Sequence, residues 1–165
     1  AKVKASDISV AAVNGPKMTV ISGRKEVVDK VAETSGVTSR PLTVSHAFHS
    51  PLMQPMLKDF RSEVDKVSMS ALKVPFFSTL LGREATSEDL AKVDYWVDHV
   101  SNAVRFTAGM EALENARSPE VFLEIGATPT LVGMAKRFLA RKDVKWVASL
   151  DPKATPDEKD AIKKA

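Results

Sequence analysis

The chain has 165 residues, 44% hydrophobic and 27% charged, the balance of a folded globular protein of one domain or one domain and part of another. It contains no cysteine, which excludes a disulfide scaffold, a thiol nucleophile and thiolate zinc sites. The net charge of +3 is a small excess spread along the chain, with no basic stretch interleaved with aromatics, so no nucleic-acid surface is expected; a modest positive potential suits an acidic carrier or a phosphorylated cofactor. No apolar run reaches the roughly 18 residues of a membrane helix, and Ala1 to Ser6 lacks the apolar stretch of a signal peptide, so the expectation is a cytoplasmic protein with no membrane partner.

Ile8 to Val13 reads as an apolar strand broken by Asn14-Gly15-Pro16, and Met18 to Ile21 as its antiparallel partner, ended by Ser22-Gly23. Arg24 to Thr34 carries Val27, Val28 and Val31 at helical spacing, with Gly36 past its end. Leu42 to Ala47 reads as a further strand, so the first part is β-β-α-β. Ser50 caps and Pro51 opens a helix whose stripe is Met53, Met56, Leu57, Phe60, Val64 and Val67. Val74 to Leu81 reads as a buried strand, Gly82 to Ser87 as a polar loop, and Leu90 to Val100 and Thr107 to Ala116 as helices. Val121 to Ile125 is a strand, Gly126 to Pro129 a turn, Thr130 to Ala140 a helix and Val144 to Leu150 a last strand. That alternation predicts an α/β layered sheet. Asp151 to Ala165, charged and alanine-rich, reads as a tail or linker. The opening β-α of a ferredoxin-like β-α-β-β-α-β sandwich is missing, as though the chain began in the middle of something.

The densest chemical signal is Ser45-His46-Ala47-Phe48-His49-Ser50, between a predicted strand and a predicted helix. A histidine at such a junction projects toward a sheet edge and can serve as a general base near neutral pH. The plainer alternative is that one histidine packs and the other caps the helix. Zinc at His46 and His49 would need a third ligand from His99 or a carboxylate, and no metal is expected. A self-contained Ser-His hydrolase is not expected either, since none of the seven glycines frames a Gly-x-Ser-x-Gly elbow. Glu124 to Leu131 could be an anion site at a helix start, but one glycine fits a simple tight turn better.

Taken in order, Val10-Ala11-Ala12-Val13-Asn14-Gly15-Pro16, Val20-Ile21-Ser22-Gly23, Val44 to Met53, Tyr95-Trp96-Val97, Asn102-Ala103-Val104-Arg105-Phe106 and Phe122-Leu123-Glu124-Ile125-Gly126 closely resemble the acyltransferase domain of modular or iterative polyketide synthases. The resemblance runs from about residue 8 to residue 150 and covers the C-terminal half of such a domain. It implies a fold in which residues 1–47 are a partial ferredoxin-like subdomain (β-β-α-β), residues 48–150 the C-terminal part of an α/β-hydrolase-like acyltransferase subdomain, and residues 151–165 a tail or linker.

The resemblance further implies malonyl transfer from malonyl-CoA to the phosphopantetheine thiol of an acyl carrier protein through an acyl-serine, with no covalently bound cofactor. His49 matches the family's general base, and the main-chain carbonyl of His99 matches the acceptor that orients it. His46 and Phe48 match the substrate-selecting positions of malonyl-selective members, where Phe48 would fill the space of an extra methyl. His99 stands where the family usually has Asn or Gln, and Ala103 and Ala127 where proline is common. The family's elbow serine, oxyanion region and carboxylate-pairing arginine have no counterpart here, so the implied partners are the N-terminal half of the domain, adjacent synthase domains and the carrier protein. The alternative is a non-catalytic docking module for a carrier or a neighbouring domain.

Overall fold

The computed structural model describes residue 4 and residues 6–152. The predicted tail, 151–165, therefore lies almost wholly outside the described residues. Strand β1 (Ile8–Gly15) and β2 (Met18–Gly23) form an antiparallel hairpin in which Ile8 faces Gly23 and Gly15 faces Met18. β1 continues through Asn14 and Gly15, and Pro16 and Lys17 make the turn. Helix α1 (Lys25–Thr34) follows directly.

Leu42 to Ala47 does not form the predicted strand; it runs as exposed irregular chain with Leu42 62% and Val44 66% exposed. Its apolar alternation is right for a strand, but no described strand lies beside it, and an unpaired strand leaves its backbone groups to solvent. The first part is thus β-β-α followed by extended chain rather than β-β-α-β.

A 3-10 turn (Pro51–Met53) leads into α2 (Gln54–Val64). The predicted buried strand Val74 to Leu81 shrinks to β3 (Phe76–Ser78), and the predicted loop Gly82 to Ser87 contains its antiparallel partner β4 (Arg83–Ala85). Ser78 explains the interruption. It is fully buried, its hydroxyl pairs with the Tyr95 hydroxyl at 2.8 Å and accepts from the N–H groups of Leu80 and Leu81, and this turns the chain. Gly82 makes the turn with φ +67°, and a Cβ there would lie 3.0 Å from the Arg105 guanidinium carbon, whose group donates to the Leu81 carbonyl. Helices α3 (Ser87–Ala91), α4 (Val93–Ser101) and α5 (Phe106–Arg117) follow. Tyr95 and Val97 of α4 are buried, and an Arg61–Asp94 ion pair joins α2 to α4.

α3 begins with a full capping box: Asp89 N–H donates to the Thr86 hydroxyl, and Thr86 N–H donates to the Asp89 carboxylate. Arg83 grips the same carboxylate with both terminal nitrogens, at 2.8 and 3.1 Å. That guanidinium first, and the Thr86 N–H second, hold the Asp89 carboxyl well below the ordinary carboxylate range. A carboxyl whose folded value is depressed stabilises the fold fully above its unfolded value, near about 3.9, and the contribution is lost as pH falls toward the folded value. Acid titration of stability should therefore show a decline below about pH 4 that is smaller in Asp89→Asn. Superimposable acid limbs for the two proteins would contradict this assignment.

The parallel pair β5 (Val121–Glu124) and β6 (Lys145–Ala148), joined through α6 (Thr130–Ala135), forms a β-α-β unit with Phe122 stacked on Trp146 at 4.5 Å. α6 is shorter than predicted because its end tightens into i to i+3 bonds at Arg137 and Phe138. Arg141 bridges Glu114 and Asp143 in this part of the chain. The chain divides into two compact units, 1–112 and 113–165. Ala11, Ala12, Met53, Ala85, Tyr95, Val97 and Phe106 are the buried apolar residues of the first, and Val132, Ala135, Leu139 and Val144 those of the second. The architecture is mixed α/β. Among the described residues no helix is long and apolar enough to cross a membrane.

Candidate active site

The segment 47–52 is built on Ser50. Its side chain is fully buried, donates to the Ala47 carbonyl at 2.6 Å and accepts from Leu52 N–H at 3.3 Å, capping the 3-10 turn. One residue earlier the backbone is unusual. His49 has φ +58°, the left-handed region that a residue with a β-carbon enters at a cost of about 1–2 kcal/mol.

Three hydrogen bonds from two distant segments hold it there. His49 N–H donates to the Val100 carbonyl at 3.0 Å, one of the acceptors that the last turn of α4 leaves unpaired. The Ser9 hydroxyl on β1 donates to the His49 carbonyl at 2.6 Å. The imidazole Nδ1 lies 2.9 Å from the carbonyl oxygen of Asn102.

The ring's partner is therefore Asn102 and not His99, the residue expected from the sequence. The reason lies in the end of α4. Asn102 is the first residue past the helix, in extended conformation (φ −90°, ψ 160°), so its carbonyl turns out of the helical direction. His99 sits inside the last turn, and its ring packs against Tyr95 at 6.0 Å. A carbonyl only accepts, so Nδ1 carries a proton in this contact, and in the neutral ring the lone pair is then on Nε2. The half-buried His49 thus presents an imidazole oriented through Nδ1, with Nε2 directed away from that carbonyl.

His46 and Phe48 stand beside it, both exposed, edge to face with ring centroids 6.0 Å apart; His46 Nδ1 also meets the Ser45 hydroxyl at 3.0 Å. His46, Phe48 and His49 share this segment and His99 lies in the last turn of α4, while the carbonyl that meets Nδ1 is that of Asn102. Sequence reasoning missed Ser9 and Val100. Asn102 falls in the segment Asn102 to Phe106, whose sequence does not say which carbonyl meets the ring. Among the described residues no group of three or more His, Asp or Glu side chains converges as a metal site.

The helix start after β5 is occupied from within. Glu124 accepts from the N–H groups of Thr130, Leu131 and Val132 at 3.1, 3.0 and 2.8 Å. Its carboxylate takes the place an external anion would fill, in keeping with a structural turn.

The acyl transferase domain family matches residues 1–165. A Streptomyces orinoci protein, the spectinabilin polyketide synthase system protein NorB, is 42% identical over 155 residues; the match covers 92% of this chain and 7% of that protein. The acyltransferase domain from the second module of the salinomycin polyketide synthase superimposes with a TM-score of 0.86 at 37% identity, covering 97% of this chain and 37% of that one. The acyltransferase domain of SpnD, crystallised with 2-(pent-4-yn-1-yl)malonyl, gives 0.85 at 27% identity, covering 96% of this chain and 40% of that one. The chain spans well under two thirds of each. With its whole length matched, its mixed α/β fold shared with these domains and polyketide synthases among its relatives, this chain belongs to the acyl transferase domain family as it occurs in polyketide synthases.

Proposed function

We propose that the chain supplies the general base of a malonyl-CoA:acyl carrier protein transferase domain. The observation that carries this reading is the Nδ1 contact of His49 with the Asn102 carbonyl, which favours the Nδ1-protonated tautomer of the neutral ring, the one with Nε2 as acceptor. In the proposed reaction Nε2 takes the proton of a serine hydroxyl contributed by the rest of the domain. The serine oxygen attacks the malonyl thioester, coenzyme A leaves and takes up the proton, and an acyl-serine remains. The phosphopantetheine thiol of a carrier protein then gives its proton to the same nitrogen and attacks the ester carbonyl; the C–O bond to serine breaks, the serine oxygen takes the proton back from Nε2, and the malonyl group leaves as the carrier thioester. A neutral carbonyl partner holds the ring as a carboxylate would, without adding charge. No covalently bound cofactor is required.

Exposed apolar side chains on regular and extended segments support a partner of the same domain. Val44, Val74, Leu123 and Ile125 are more than half exposed, and Ile125 reaches 84%. β5 and β6 are a parallel pair, a type normally covered on both faces. In this reading β1, β2 and α1, with the extended chain to residue 47, belong to a ferredoxin-like subdomain, and residues 48–150 to the hydrolase-like subdomain. Adjacent synthase domains and the carrier protein are the further partners, and the setting is cytoplasmic.

His46 and Phe48 are assigned to selection of the malonyl unit. The test is a competition between malonyl-CoA and methylmalonyl-CoA for the complete domain, read by intact-protein mass. The malonyl adduct should dominate. His46→Ala should shift the adduct ratio toward methylmalonyl by about three- to thirtyfold, within the worth of one methyl in a pocket. Absence of any adduct contradicts the transferase reading, and an unmoved ratio contradicts the selectivity reading.

A further inference from the structure

The hydrogen bonds around His49 close a triangle. The segment 100–104 is joined to β1 by Val104 N–H to the Ala11 carbonyl and Val13 N–H to the Val104 carbonyl, both at 2.8 Å. His49 is joined to that segment at Val100 and Asn102. The third side, from His49 back to β1, rests on a side chain: the Ser9 hydroxyl on the His49 carbonyl at 2.6 Å. The orientation of that carbonyl sets the peptide plane after His49, hence its ψ angle and the direction of its Cα–Cβ bond. The left-handed region that His49 occupies is narrow in ψ and costly for a residue with a β-carbon, so a bond to this carbonyl helps hold the residue in it.

We infer that Ser9 is a positioning residue for His49. Its hydroxyl fixes the peptide plane and so aims the imidazole, keeping Nδ1 on Asn102 and Nε2 outward, without touching the ring. Ser9 acts from a strand anchored on its far side by the pairing with Ser22, so its position does not depend on the loop it restrains. The consequence for acyl transfer rests on reading His49 as the base; the geometric role does not.

The chain has three histidines, so the imidazole nitrogens of histidine-labelled protein can be followed individually by NMR. In the wild-type chain the His49 nitrogens should report a single tautomer protonated at Nδ1. Ser9→Ala should move both nitrogen signals toward averaged values while the β1–β2 amide signals stay in place, and Ser9→Thr, which restores a hydroxyl, should return them. If Ser9→Ala fails to fold, Ser9→Cys, a weak donor of similar size, should give an intermediate shift. His49 nitrogen signals unchanged in the folded Ala or Cys variant would overturn the assignment. In the complete domain, acyl-enzyme formation by Ser9→Ala should fall about three- to thirtyfold. Averaged tautomers with an unchanged rate would keep Ser9 as the positioning residue and remove His49 as the base.

Discussion

Replacing His49 with asparagine in the complete acyltransferase domain is expected to slow acyl-enzyme formation by about 10²–10⁴-fold, the usual worth of a positioned general base. Asparagine is the informative substitute. It is among the residues that best tolerate the left-handed backbone of this position, so the fold should be kept while the basic nitrogen is lost. Alanine removes the base equally but faces the backbone strain without the ring's anchor on Asn102. Both variants should lower kcat and kcat/KM together, with KM for malonyl-CoA little changed, because the proton transfer is realised only in the transition state. Rapid-quench measurement of the acylated protein separates this from effects on carrier docking. A rate within a factor of two or so of wild type would show that the proton goes elsewhere.

The largest stability effect is expected at Gly23. It closes β2 opposite Ile8, and a Cβ there would lie 2.2 Å from the Asp7 carbonyl oxygen and 2.7 Å from the Ile8 α-carbon. Both are backbone atoms, so no side-chain rotation relieves the clash. The same Asp7 oxygen accepts from the N–H of Arg24, the residue just before α1. Gly23→Ala must therefore separate β1 from β2 or detach α1, at an expected loss of about 2–4 kcal/mol. Gly133→Ala is the control. It lies within α6 with nothing inside 4 Å of the added carbon, and should be neutral or stabilise by up to about 1 kcal/mol. Amide exchange across the β1–β2 ladder reads the difference, and unchanged protection in Gly23→Ala would contradict the steric account. Because β1 carries Ser9, the same change should also disturb His49.

Elements bounded by local chemistry were legible in the sequence. β1 and β2 are marked by apolar runs flanked by Gly and Pro, α1 by helical spacing, and β5 and β6 by short apolar runs around a turn. What failed depended on partners. Leu42 to Ala47 has a strand's composition and, among the described residues, no strand beside it. Val74 to Leu81 reads as one strand until the buried Ser78 meets Tyr95, seventeen positions away, and turns the chain. The site divided in the same way. His46, Phe48 and His49 stand together in sequence and could be picked out there. The Asn102 carbonyl could not, because which backbone oxygen escapes the end of α4 is decided by where the helix stops. Ser9 carried no signal, since its meeting with His49, forty positions away, exists only in the fold.

The most direct examination of the account is a crystal structure of the complete domain with a non-reactive malonyl-CoA analogue bound. The account predicts the His49 Nε2 within about 2.6–3.2 Å of a serine hydroxyl from the other part of the domain, with Nδ1 still on the Asn102 carbonyl. A ring turned so that Nε2 meets Asn102, or a serine served by a different base, would contradict it.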